Sequence, residues 1–169
     1  MKRLIEVYMV ALKTIMGLLL AGMVLLVFGN VVLRYAFDSG ISISDELSRW
    51  FFVWMVFLGA IVGIKEHKHL GIDSLVRSLS GRGKKGLFLI GHSLMIGCSA
   101  LLLVGSFKQT LINLNVAAPA TGLSTGFFYS TGVVFSVSAI IILGYEIVLV
   151  ITGRASEEDL IGVVESEDH

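Results

Sequence analysis

Charge is scarce in this chain of 169 residues: only 15% are Asp, Glu, Lys or Arg, where soluble domains carry nearer a quarter (about 25%). Hydrophobic residues make up 55%, and the mean hydropathy is +0.87. That balance excludes an ordinary soluble enzyme and places the chain among membrane proteins. A surplus of either sign is also missing, because 13 basic and 13 acidic residues cancel. No nucleic-acid partner is expected, since binding one needs a basic surplus. The lone cysteine, Cys98, cannot form an internal disulfide, and no Cys/His cluster suggests structural zinc. Proline is nearly absent, with one residue against 19 glycines, a ratio suited to packed membrane helices. There is no phosphate-binding loop, dinucleotide fingerprint or nucleophile elbow. Nor is there a repeat of fixed period, or the pair of interrupted helices that marks a substrate site in secondary transporters. No enzymatic activity and no cofactor are therefore expected.

Long uncharged runs are what the chain does have. Thr14–Leu33, Gly86–Phe107 and the apolar part of Gln109–Tyr145 beginning near Gly126 contain no charged residue. About 20 apolar residues cross a bilayer core as a helix, so three spans are predicted at about 12–34, 86–107 and 126–151. The fourth is tighter, because Trp50–Ile64 covers only about 22 Å at a helical rise. Arg49 can snorkel to the interface, and Ser42 with Asp45 three residues on reads as a capping box. One helix over about 44–65 is predicted, its first turns interfacial and the rest crossing. The fold class is thus all-α: an integral membrane protein of four transmembrane helices. Residues 1–155 form the membrane domain, and 156–169 form an acidic tail (Glu157, Glu158, Asp159, Glu165, Glu167, Asp168) that reads as a solvated end.

Orientation follows from lysine and arginine. Ten of the thirteen lie at the N-terminus, between spans two and three, or in the tail, leaving Arg34, Arg49 and Lys108 on the other side. Both termini are therefore expected inside. Aromatics from Tyr35 and Phe37 to Tyr129 gather at the outer ends as an interfacial belt. The first span is too long for a signal-peptide core and is expected to be retained.

Few polar groups lie in the spans. Glu146 sits five residues before the inner end of span four, and His92 six residues into span three. Both fall within about 9 Å of the same membrane face, so they are candidates for a buried polar pair. Glu146 alone also reads as a proton or ion relay, and His92 as an axial haem or quinone ligand. His67 and His69 lack a third ligand. Cys98 reads as a small buried residue, and Asn30 and Thr14 as polar groups that bond back to their own helix. Small residues four apart, Gly59/Gly63, Gly122/Gly126/Ser130, Gly132/Ser136, Ser93/Gly97 and Gly17/Ala21, let helix backbones approach closely. They serve either a four-helix bundle or a partner subunit. At the outer surface Arg34, Asp38, Asp45, Glu46 and Arg49 alternate in sign. Arg34 with Asp45 or Glu46 would tie span one to span two, and the alternative is a docking surface.

The stretch NVVLRYAFDSGISISDELSRWFFVWMVFLGAIVGIKEHKHLGID, Asn30 to Asp73, resembles the small membrane subunit of tripartite ATP-independent periplasmic (TRAP) transporters. The shared features are Asn30, Arg34 and Tyr35 closing span one, Glu46 and Arg49 before an aromatic run, Trp54, Leu58-Gly59-Ala60, and His69 with Asp73. Ser44 stands where many relatives carry tryptophan or threonine. The resemblance implies a non-catalytic subunit of a bacterial inner-membrane, sodium-coupled transporter for an organic acid, with sialic acid the first candidate beside C4-dicarboxylates. It implies a large multi-span partner that carries the substrate site and moves as an elevator, and a periplasmic substrate-binding protein. The small subunit would be static scaffold. Its candidate partner or lipid contacts are Arg34, Asp38, Asp45, Glu46, Arg49, Trp50, Trp54, Gly59, Gly63 and Lys108, with Asn113 and Asn115 in addition. Two other classes remain open on the residues alone: a haem- or quinone-binding redox anchor, and a self-contained small exporter.

Overall fold

The structure, a computed structural model, describes residues 2–66 and 81–152. His67, His69, Asp73 and the acidic tail lie outside the described residues. Four helices follow one another: α1 (Lys2–Ala36), α2 (Ser42–Lys65), α3 (Gly81–Asn113) and α4 (Gly126–Ile151). All four are long and apolar enough to cross a membrane. Among the described residues the only β pairing is an isolated bridge, Ala117 to Ser124.

Two helices outrun the predicted spans. α1 begins at Lys2 rather than near residue 12, and α3 continues to Asn113 rather than stopping at 107. An uncharged run measures the part that crosses lipid. Lys, Glu and Gln propagate a helix well in water, so the backbone simply continues beyond the apolar stretch. The capping box at Ser42 is corrected: Ser42 is already helical, and the N-cap is Ile41 with no side-chain cap bond. The Ile41 N–H is instead received by the side chain of Asn30, on α1, at 2.7 Å.

The helices form an open layer rather than a closed four-helix bundle, in the order α1, α2, α4, α3. α1 packs along α2, α2 against α4 and α4 along α3. Side chains carry α1 a little further, with the Tyr8 hydroxyl 2.9 Å from Ser138 on α4. The buried apolar cluster sits where α1, α2 and α4 meet: Leu12, Leu58, Ile61 and Val62, with Trp54, Phe135 and Ile142 packed on it.

Two glycines set the α3–α4 separation. A Cβ on Gly126 would lie 3.0 Å from the Thr110 carbonyl oxygen and 3.1 Å from the Leu114 Cα. On Gly132 it would lie 2.9 Å from the Ser106 Cβ. Gly59 meets Met16 of α1 at 3.2 Å, whereas Gly17, Gly63 and Gly97 have open space around them. Gly122, read from sequence as a packing step, instead turns the α3–α4 connection at φ +71°, a conformation that suits a residue without Cβ.

Candidate functional site

Polar contacts concentrate at the two ends of the layer. At the end holding the α1–α2 and α3–α4 connections, Asn30 is a buried hub. Its Nδ2 donates to Asp45 Oδ1 at 3.0 Å while its Oδ1 receives the Ile41 N–H. Beside it the Ser44 hydroxyl donates to the Leu26 carbonyl at 2.6 Å. Span one is therefore fastened to span two by Asn30 and Ser44, which corrects the expected Arg34 tie and the reading of Asn30 as bonded to its own helix. Among the described residues no ion pair of Arg34 with Asp45 or Glu46 is present. The physical reason is level: the short amide sits one turn below Arg34, opposite the start of α2. Arg34 stays exposed, lining with Asp38, Gly40, Ser42 and Asp45 an open cleft of about 330 Å³.

Glu46 turns the other way. Its Oε2 receives the Ala120 N–H at 2.8 Å, and its Oε1 the Thr121 hydroxyl at 2.5 Å. Between α3 and α4 the chain makes a small hairpin. The Ala118 N–H donates to the Leu123 carbonyl at 2.8 Å, and Thr125 N–H to Val116 at 2.9 Å. Beneath it, Trp50 stacks tilted against Phe127 and Phe128, with centroids 6.2 and 6.0 Å apart, and Trp54 meets Phe127 at 5.0 Å. Among the described residues the buried Trp54 Nε1 has no hydrogen-bond partner. Arg49 and Lys108 are both exposed at this end.

At the opposite end three helices meet through charge. His92 Nε2 on α3 lies 3.2 Å from Glu146 Oε2 on α4, and Lys65 Nζ on α2 lies 3.5 Å from Glu146 Oε1. The other ring nitrogen of His92 faces the Phe88 carbonyl at 3.0 Å, and the ring stacks on Phe88 at 3.6 Å. Lys13 on α1 pairs with Glu66 just past α2. The structure thus brings together His92 and Glu146, candidates read from the sequence. It adds Lys65, which sequence reasoning missed although its place at the last turn of α2 matches the depth of Glu146. Thr121 and Ala120 were missed as well, since nothing in local spacing tells that a loop 75 residues away returns to Glu46. Cys98 is corrected from buried to exposed. Among the described residues there is no group of three or more His, Cys, Asp or Glu that could hold a metal ion.

The remaining surface is apolar. Only 6% of the most apolar stretch of α1 and 11% of that of α3 is buried within the chain, against 28% for α2 and α4. Leu18, Leu25 and Phe28 on α1, and Ile90, Leu94 and Leu101 on α3, stand exposed. Long apolar helices with polar ends and unfilled faces define a multi-pass membrane protein that leaves most of its surface to lipid or to other helices.

Comparison with known proteins then gives the family. The family described as tripartite ATP-independent periplasmic transporters, DctQ component, matches residues 23–153. One Haemophilus influenzae (strain Rd) protein, provisionally assigned as a TRAP transporter small permease protein, is 43% identical over 134 residues, covering 78% of this chain and 83% of its own length. A second with the same assignment is 33% identical over 138 residues, covering 82% and 84%. The C4-dicarboxylate TRAP transporter small permease protein DctQ of Vibrio cholerae is 37% identical over 89 residues, 53% of this chain and 38% of that protein. The chain belongs to the DctQ-component family: it is the small permease subunit of a TRAP transporter. Such subunits work with a large membrane subunit and a periplasmic binding protein.

Proposed function

We propose that this subunit is a static brace in the bacterial inner membrane, with both termini cytoplasmic. It would enlarge the frame against which a large elevator-type subunit moves an organic acid, coupled to sodium. The connections at the Glu46 end would help dock the periplasmic binding protein. One observation carries the reading: α1 and α3, the outer helices of an open layer, bury little of their apolar length within the chain. A layer of this kind has two broad faces, and it offers much surface to a larger partner and to the lipid trapped between them. The polar groups support the same view, because His92, Glu146 and Lys65 are engaged with one another across three helices.

Substrate choice is assigned to the partner polypeptides. Sialic acid is the first candidate. C4-dicarboxylates enter on the name of the Vibrio cholerae relative, and both carry the carboxylate expected of the cargo. The test is uptake into liposomes under an inward sodium gradient, with labelled sialic acid and labelled succinate in parallel. This chain alone is expected to take up neither. The chain with its large subunit and binding protein is expected to take up one of them. Transport by the lone chain would sink the brace reading in favour of a self-contained exporter.

A further inference from the structure

Glu46 was read from sequence as one of the charges an arriving protein would touch. Its geometry suits another task. Both carboxylate oxygens are already occupied, by the Ala120 N–H and by the Thr121 hydroxyl. Both donors belong to the α3–α4 connection. Among the described residues no other hydrogen bond ties the connection to α2. From Leu114 to Thr125 it contains no charged residue, and its own bonds run within the hairpin: Ala118 to Leu123, Gly122 to Ala118, Thr125 to Val116. Within the hairpin the Leu123 N–H also donates to the Thr121 hydroxyl, and the Ser124 and Thr125 hydroxyls tie it back to the Asn113 carbonyl at the end of α3, but none of these reaches α2 to fix its place. Glu46 supplies the place, gripping the loop tip at Ala120 and Thr121 while α2 holds the glutamate rigidly in its first turns.

We infer that Glu46 is a positioning residue: it fixes the α3–α4 hairpin over the start of α2, so that it acts on docking through the loop and not by a direct ion pair with the periplasmic protein. This rests on the proposed docking role of that end of the molecule. Thr121 is the other half of the same device. It predicts that a change at Thr121, which leaves every charge in place, reproduces a change at Glu46.

The experiment uses the reconstituted two-subunit complex with two readouts on each variant. One is amide hydrogen exchange over residues 117–124, and the other is the affinity of the purified periplasmic binding protein for the complex. Glu46→Ala and Thr121→Val are expected to speed exchange of the Ala120 amide at least tenfold and to weaken binding by similar factors. Thr121→Ser, which keeps the hydroxyl, is expected to restore both. If Glu46→Ala weakens binding while Thr121→Val does not, with loop exchange unchanged in both, Glu46 meets the partner directly and the inference is overturned. If neither variant alters exchange, the anchor itself is overturned. If exchange rises in both variants while binding holds, the docking reading fails and the anchor stands. Thr121→Val, which swaps one γ substituent on a surface turn, keeps the test valid should Glu46→Ala fail to assemble.

Discussion

Asn30 shows how a short neutral side chain can outdo a charged one in fastening two membrane helices. It is buried, and its amide is split between two jobs, donating to Asp45 and accepting from the Ile41 backbone. Arg34, one turn further along, has charge and reach but would lose rotamer freedom to make the same bond. Alanine at position 30 would leave the Ile41 N–H and the Asp45 carboxylate without that partner, at a cost of about 1–3 kcal/mol. Asn30→Asp is the sharper variant: it keeps an acceptor for Ile41, removes the donor and sets a second carboxylate against Asp45. Thermal unfolding of the purified complex is expected to show Asn30→Asp destabilised at least as much as Asn30→Ala. An aspartate variant as stable as the parent would mean that Asp45 takes nothing from the amide. Asn30 itself was visible in the sequence as a polar residue in an apolar run. Its partners were not, because helix periodicity says which side a residue faces and not which turn of a neighbouring helix lies opposite.

At the scale of helices, small residues spaced by four divide into two groups that sequence spacing alone cannot separate. Gly126 and Gly132 are pressed against α3, while Gly63 in α2, Gly17 in α1 and Gly97 in α3 face open space. The number of spans, their order and the boundaries of α4 were legible because membrane-crossing length is a property of each segment by itself. The layer order α1, α2, α4, α3 was not, because it depends on which glycine meets which neighbour. The two groups should behave differently. Gly132→Val would push a branched side chain into Ser106 and separate α3 from α4, an overpacking defect of about 1–3 kcal/mol. Gly97→Val adds a methyl-rich side chain where nothing stands within 4 Å, and surface changes of that kind stay within about ±0.5 kcal/mol. Unfolding of the isolated chain in detergent is expected to show a marked loss for Gly132→Val and none for Gly97→Val. Equal losses would mean that α3 lies the other way round, with its Gly97 face on α4. If Gly97→Val leaves the isolated chain intact yet lowers recovery of the large subunit on co-purification, that face belongs to the brace.

The whole molecule is polarised along its helices, and that polarity decides whether the proposed roles are compatible with one another. Lys13 with Glu66 and Lys65 with Glu146 crowd one end, while the Asn30 hub, Glu46 and the uncharged hairpin occupy the other. Lysine and arginine are retained on the cytoplasmic side during insertion, and ten of thirteen fall in the sequence stretches 2–13, 65–85 and 152–169. The proposed orientation puts the hairpin end in the periplasm, which is also what contact with a periplasmic protein requires. The two arguments are independent, one electrostatic and one functional. A single labelling experiment tests both. In a Cys98→Ser background, a lone cysteine introduced at Asn115 should react with a membrane-impermeant maleimide in intact cells. One introduced at Glu6 should react only after the membrane is opened. The substitution at 98 is mild, because that side chain is exposed on α3. Position 115 is an exposed loop residue clear of the Glu46 anchor. Labelling of position 6 in intact cells, with position 115 silent, would invert the molecule. It would carry Glu46 and its loop to the cytoplasm, where no periplasmic protein can reach them, and the docking role would fall while the brace remained.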